Sequence, residues 1–412
     1  MQQPDQMYDV GGVLMPRPFK VRRLGHFGYF FDDLDAGRDF YTRALGFRLT
    51  DEASMADLLP PELSFLADEI EDPRMFFTSY GGDHHAVLLL HSGLANFGPA
   101  AGTNNPEMTT NQITWQVGTL EEVQAAHRYL MDQGVQIERV GRDMPGGNWH
   151  VYFRDPDGFT NELYYGIEQI GWNRQSKPYA MFYRGFGEAP GLPQMGEYDE
   201  VAEALQKGID IFSGYRPAYD AISEYTIGGV TAARPFKVTK LGPVGIFVTD
   251  VDRSEAFYTG IMGFEVTESV EINGRRCAFL RHGNEHHSLT LYPIGLRAEL
   301  GLSEHTVVAT LGVEVGTYTQ LREAVSYLAA EGYTVVDLPA TFHTGIDYAA
   351  HVLDPAGHCV ELYYYMEQVG WDGKPRPAAA RRSAPGPWRT WPSTIDALSD
   401  TYVDQIFQGP LS

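Results

Sequence analysis

PRPFKVRRLGHFGYFFDDLDAGRDFYTRALGFRL, residues 16–49, returns as RPFKVTKLGPVGIFVTDVDRSEAFYTGIMGFEVT at residues 234–267. The ends of the two stretches that follow also match. DPDGFTNELYYGIEQIGW fills 155–172, and DPAGHCVELYYYMEQVGW fills 354–371. The period is about 200 residues, too long for a stacked solenoid, so the repeat is a duplicated domain.

Each half carries a weaker repeat of its own. LGHFGYFF (24–31) alternates at a strand period, and DAGRDFYTRAL (35–45) has helical spacing that puts Phe40, Tyr41, Ala44 and Leu45 on one face. Gly46 then caps the helix before FRLT. Two further strands read as RMFFTSY (74–80) and HHAVLLLH (84–91). The order recurs with NQITWQV (111–117), a helix over 120–134, VQIERV (135–140), NWHVYFR (148–154) and NELYYG (161–166). The second half repeats both units from Leu241 and from near Val308, giving four βαβββ modules.

One such module cannot bury both faces of its sheet. Pairing two modules curls the strands around a hollow and leaves the helices outside. The expected class is therefore α+β, with a first domain over 20–172, a linker over 173–233 with some helix near 198–213, a second domain over 234–372 and a tail over 373–412 that wraps the body.

The totals bound the function. A net charge of −23 with only 31 Lys+Arg speaks against nucleic acid as a partner. Two cysteines, Cys277 and Cys359, exclude a disulfide framework or a cysteine zinc motif and read as small buried residues. MQQPDQMYDVGG has no apolar core of a signal peptide, and no apolar run reaches the roughly 18 residues of a membrane span. The expectation is a soluble, cytoplasmic protein with no membrane partner.

Three motifs carry the chemistry: Gly25-His26-Phe27 in a first strand, His84-His85 ahead of Leu89, and a closing run of form Y-x-x-D-P-x-G-x-x-x-E from Tyr152 to Glu162. Together they resemble the type I extradiol ring-cleaving dioxygenases of the vicinal oxygen chelate superfamily, which also holds glyoxalase I and the bleomycin-resistance proteins. The resemblance covers roughly 20–170 and 238–370. It implies metal ligands at His26 and Glu162. A carboxylate opening an apolar strand is costly to bury unless it is paired or bound to metal. Where the family usually has a second histidine, this chain has Gln112, a weaker ligand than imidazole for a transition metal.

The resemblance further implies His85 as acid/base, with one of the pair His84 and His85 facing inward and the other outward. It implies Tyr152 as a hydrogen-bond donor to substrate oxygen. His150 shares a strand face with Tyr152 and is a further candidate catalytic residue. Asp143 stands where the family expects a histidine. In the second half, Pro243 and Thr310 occupy the first two ligand positions and Glu361 the third, leaving one ligand and a degenerate site, with His287 and His343 able to line a pocket. A site joining His26 to Glu361 is the alternative arrangement.

The implied function is a non-haem Fe(II) extradiol dioxygenase acting with O2 on a catechol-like aromatic. The metal could instead be Mn, Zn, Ni or Co, and the activity that of a glyoxalase-type isomerase, epimerase or lyase, or of a non-catalytic small-molecule-binding protein. A homo-oligomer is expected by the same resemblance.

Overall fold

The computed structural model describes residues 6–59, 65, 67–68, 70–96, 108–185, 191–193, 195–218, 224–302 and 306–397. The end of the tail, 398–412, lies outside them. In the first half, β1 (Arg23–Phe31) leads into α1 (Leu34–Asp39), which continues as a π-helical turn over Phe40–Ala44. Phe40, Tyr41, Ala44 and Leu45 are all buried, as their helical spacing requires. Gly46 closes the helix at φ +90°, a left-handed conformation that costs glycine little.

The meander β2 (Arg48–Ser54), β3 (Arg74–Ser79) and β4 (Val87–His91) completes the first module. The second module runs β5 (Thr110–Gln116), α2 (Leu120–Asp132), β6 (Ile137–Gly141), β7 (Trp149–Arg154) and β8 (Thr160–Tyr165). Thr119 caps α2 by accepting the amide of Glu122, satisfying one of the helix's unpaired N–H groups. The eight strands form one sheet in the order β2-β3-β4-β1-β5-β8-β7-β6. β1 lies parallel to β4 and β5 parallel to β8, so the first and last strand of each module meet side by side near the middle of the sheet.

The second half repeats this plan with β9 (Val238–Val248), α3 (Val251–Phe257), β10 (Glu265–Ile272), β11 (Arg275–Arg281), β12 (Leu289–Pro293), β13 (Val308–Val315), α4 (Tyr318–Ala330), β14 (Val335–Val336), β15 (Ala349–Leu353) and β16 (Cys359–Tyr363). Its sheet order, β10-β11-β12-β9-β13-β16-β15-β14, is that of the first. The fold is α+β, with four βαβββ modules in two sheets. Cys277 and Cys359 are both free and buried.

By their internal contacts, residues Met1–Val21, Gly25–Leu34 and Phe47–Tyr219 form one compact unit, and Arg22–Leu24, Asp35–Gly46 and Asp220–Ser412 the other. A helix over Glu197–Gln206 belongs to the first unit, and its Glu200 is paired with Arg142. In the second unit the described part of the tail is anchored by Arg381, which pairs with Glu367 and Glu268, and by Trp391, buried against Tyr348. Among the described residues no helix is long and apolar enough to cross a membrane.

Candidate metal centre

Strand geometry decides which side chains meet. Residues opposite one another across a ladder point to the same face, and so do residues two apart on one strand. Glu162 of β8 faces Tyr152 of β7 and Thr114 of β5 in register. Gln112 lies two residues before Thr114, and His150 two before Tyr152. All of them therefore project to one face, and His26 of β1 reaches the same point.

The result is a buried cluster around one carboxylate. His26 Nε2 lies 3.1 Å from Glu162 Oε2, and the imidazole and the carboxylate are essentially without solvent exposure. The Gln112 amide donates to the same oxygen at 3.1 Å, and the Thr114 hydroxyl at 2.9 Å. Asn148 donates to the other oxygen at 2.5 Å. The Tyr152 hydroxyl donates to Gln112 Oε1 at 3.2 Å. The opening-strand imidazole, the Gln112 amide and the closing-strand carboxylate thus converge within the first unit, while Glu361 sits with residues of the second.

Electrostatics follow from the burial. Burial alone would raise the Glu162 carboxyl, but His26, His150 and the Thr114 hydroxyl hold it down at about 2. The carboxylate is therefore ionised. Burial and the negative charge of Glu162 push the Tyr152 phenol well above its usual value, against the opposing pull of Arg139, so it keeps its proton. The Arg139 guanidinium stands over the Tyr152 ring at 4.2 Å.

Both His84 and His85 are buried. His85 packs its ring 4.2 Å from that of His26. His84 is held by other partners: its Nε2 lies 2.9 Å from Asp51 Oδ2 and its Nδ1 3.0 Å from His85 Nδ1. A buried carboxylate on the neighbouring strand supplies what water would otherwise provide. Burial, with His26 and His84 adjacent, holds the His85 imidazole well below its usual range and so neutral.

His150 bridges the two acids, with Nε2 3.2 Å from Asp143 Oδ1 and Nδ1 3.8 Å from Glu162 Oε1. Burial works against the charge on Asp143, and Arg139 with His150 outweighs it, holding that carboxyl at about 2. Asp143, which replaces an expected histidine, is therefore part of an Arg139–Asp143–His150 chain behind Tyr152.

The donor set fits a divalent ion. Three groups of different chemistry crowd on Glu162 Oε2, the position where a cation would replace them as the partner of the negative charge. His26, Gln112 and Glu162 are the residues that could hold it. Asn148, Thr114, Arg139 and Asp51 were not singled out from sequence. Thr114 was accessible by period two from Gln112, whereas Asn148 and Asp51 reach the cluster through pairings that no local pattern signals.

The second half corrects the expectation of a single ligand there. Among the described residues, His343, His351 and Glu361 each offer a ligand atom within 4.8 Å of the others, all three buried. His351 lies opposite Glu361 in register, as Tyr152 lies opposite Glu162. The same ten-residue spacing could have found it in the sequence. Burial and the adjacent His351 push the His343 imidazole down to about 3.

The sequence profile of the Glyoxalase/Bleomycin resistance protein/Dioxygenase superfamily matches residues 23–163 and 240–362, more than half of the chain. The chain belongs to this superfamily. Among curated relatives, it is 29% identical over 152 residues to metapyrocatechase 2 of Cupriavidus necator, covering 36% of this chain and 38% of that protein. It is 25% identical over 130 residues to 2,2',3-trihydroxybiphenyl dioxygenase of Sphingomonas paucimobilis, covering 32% and 42%. The matched stretches thus span less than half of either relative.

Similar solved structures share the fold over most of this chain. The Mn(II)-bound glyoxalase from Novosphingobium aromaticivorans aligns with TM-score 0.52 at 15% identity, over 92% of this chain and 96% of that one. Homoprotocatechuate 2,3-dioxygenase from Brevibacterium fuscum, in complex with 3,4-dihydroxyphenylacetate, aligns with TM-score 0.54 at 15% identity, over 89% and 86%.

Proposed function

We propose that this chain is a metal-dependent dioxygenase that opens a catechol-type aromatic ring with O2, using the cluster at His26, Gln112 and Glu162. The convergence of His26 and Glu162 on one buried point, at 3.1 Å, carries this reading. The names of the two curated relatives, a trihydroxybiphenyl dioxygenase and a metapyrocatechase, support it.

Bound there, Fe(II) or another divalent ion would supply Lewis acidity toward the two catechol oxygens and a free position for O2. The chain's own residues supply the rest. His85, against His26 and away from solvent, takes the catechol hydroxyl proton and later returns it, as a general base and then acid. Tyr152 keeps its hydroxyl proton and donates a hydrogen bond to a substrate oxygen, exchanging the bond it gives to Gln112. His150, steadied by Asp143, holds the Tyr152 side of the site, its ring 4.6 Å from the tyrosine. The buried walls exclude water. Both atoms of O2 end in a ring-opened acid.

The test is oxygen uptake by anaerobically metal-loaded protein across a broad catechol panel, beside His26→Ala. Uptake with ring-opened product, lost in the variant, is expected. No uptake with any catechol would sink the proposal. A second reading, a glyoxalase-type isomerase or lyase, is favoured by the amide of Gln112 and by Asp143 in place of a histidine. It predicts product formation without oxygen consumption.

A further inference from the structure

We infer that the second half holds a metal site of its own, built from His343, His351 and Glu361 rather than from the strand positions that Pro243 and Thr310 now occupy. The site takes a divalent transition-metal ion. It goes beyond the function proposed for the first half and does not depend on it.

The argument begins with the carboxylate. Glu361 is buried on β16, and among the described residues its one hydrogen-bond donor is His351, whose Nε2 lies 3.0 Å from Oε2. Glu162, its counterpart, is satisfied by four donors: His26, Gln112, Thr114 and Asn148. A carboxylate has room for about four donors. Buried with one, Glu361 is short of positive charge, and an ion is what such a group accepts in place of water.

The second observation is His343. This residue ends a short 3-10 turn over Ala340–His343, and its side chain is buried. Its Nδ1 finds no hydrogen-bond partner, although buried nitrogens are nearly always satisfied. The His343 ring stands 5.3 Å from that of His351. Two imidazoles and one carboxylate, each with a ligand atom within 4.8 Å of the others, form the set that binds iron(II), cobalt(II) or zinc while leaving positions open.

The register explains how the set arose. His351 faces Glu361 across β15 and β16, at the place that Tyr152 holds across from Glu162. One substitution in that frame converts a hydrogen-bond donor into a ligand. Where Thr114 faces Glu162, Gly312 faces Glu361 and donates no hydroxyl. The carboxylate has thus lost side-chain donors on the β13 side and gained an imidazole on the β15 side.

Cobalt(II) titration tests this, read by visible absorption and by elemental analysis after desalting. Unaltered protein is expected to bind two equivalents. His26→Ala should bind one, with absorption bands of a histidine-ligated cobalt. Adding His351→Ala or His343→Ala to that variant should abolish the remaining equivalent and its bands. His343→Ala removes a side chain whose Nδ1 bonds to nothing, so it should retain the native circular dichroism. A His26→Ala protein of native circular dichroism that binds no cobalt, or whose bound cobalt is unaffected by His343→Ala, overturns the inference. Should the first-half reading alone fail, the signature differs: one equivalent in unaltered protein, insensitive to His26→Ala and lost with His343→Ala.

Discussion

At the scale of single residues, Gln112 and Tyr152 separate metal binding from turnover. Gln112 is buried between the Tyr152 hydroxyl and the Glu162 carboxylate. Imidazole binds transition ions more strongly than an amide oxygen, so Gln112→His should slow release of bound iron or cobalt to a chelator. The effect should at least match the roughly tenfold to hundredfold that altering a mere neighbour of a ligand produces. Release as fast as in the unaltered protein would remove Gln112 from the ligand set. Tyr152→Phe should do the reverse. It deletes one hydrogen bond, at a net stability cost of about 1 kcal/mol, and leaves metal content unchanged. Turnover on a catechol should fall about a hundredfold, as for loss of a single donor to developing charge. Steady-state kinetics beside elemental analysis decides, and a parallel loss of metal would make Tyr152 a structural support instead.

At the scale of elements, the site depends on how closely the Tyr164 side chain of β8 lies against the backbone of β1. Gly25 makes that approach possible: a Cβ there would lie 2.2 Å from the Tyr164 hydroxyl oxygen and 2.3 Å from its Cε1. Tyr164 in turn packs its ring 5.0 Å from His26. Gly25→Ala should therefore destabilise the first half by about 1–3 kcal/mol, the usual cost of overfilling a packed interior, measurable as a lower urea midpoint. Tyr164→Phe should relieve only part of it, because the ring edge remains. Full tolerance of Gly25→Ala would mean that the Tyr164 ring is not held against the β1 backbone at this distance. The same strands show what could be read in advance. Alternation put His150 on the face of Tyr152, the family resemblance supplied His26, Glu162 and Tyr152, and helical spacing marked the buried face from Phe40 to Leu45. Pairings between distant strands were hidden. Nothing near Asp51 announces His84, and nothing near Asn148 announces Glu162. His351 is not legible from the inherited ligand positions, because the side chain opposite Glu361 has changed chemistry.

At the scale of the whole molecule, duplication kept one architecture while the two halves diverged in charge. In the first, Glu168 accepts the amide of Lys177, and in the second Glu367 accepts that of Arg376, so each half uses the equivalent acid to hold the segment leaving its sheet. The second half adds Arg381, which pairs with Glu367 and with Glu268, and Glu268 also meets His286 Nε2 at 3.1 Å. Burial would raise the Glu268 carboxyl, yet His286 and Arg381 hold it at about 2, below the 4.5 of a free glutamate. A depressed folded-state value means stability that is complete above pH 4.5 and is lost as pH falls from there toward 2. Glu268→Gln should lower the melting temperature of the second half at neutral pH. Glu268 is partly exposed, so the loss should reach only about 1–2 kcal/mol, less than for a fully buried pair. The gap between variant and unaltered protein should then narrow steadily through that acid window and close at its lower end. A gap independent of pH would show that the Glu268 carboxylate charge does not hold the tail, and that Arg381 is anchored by Glu367 alone.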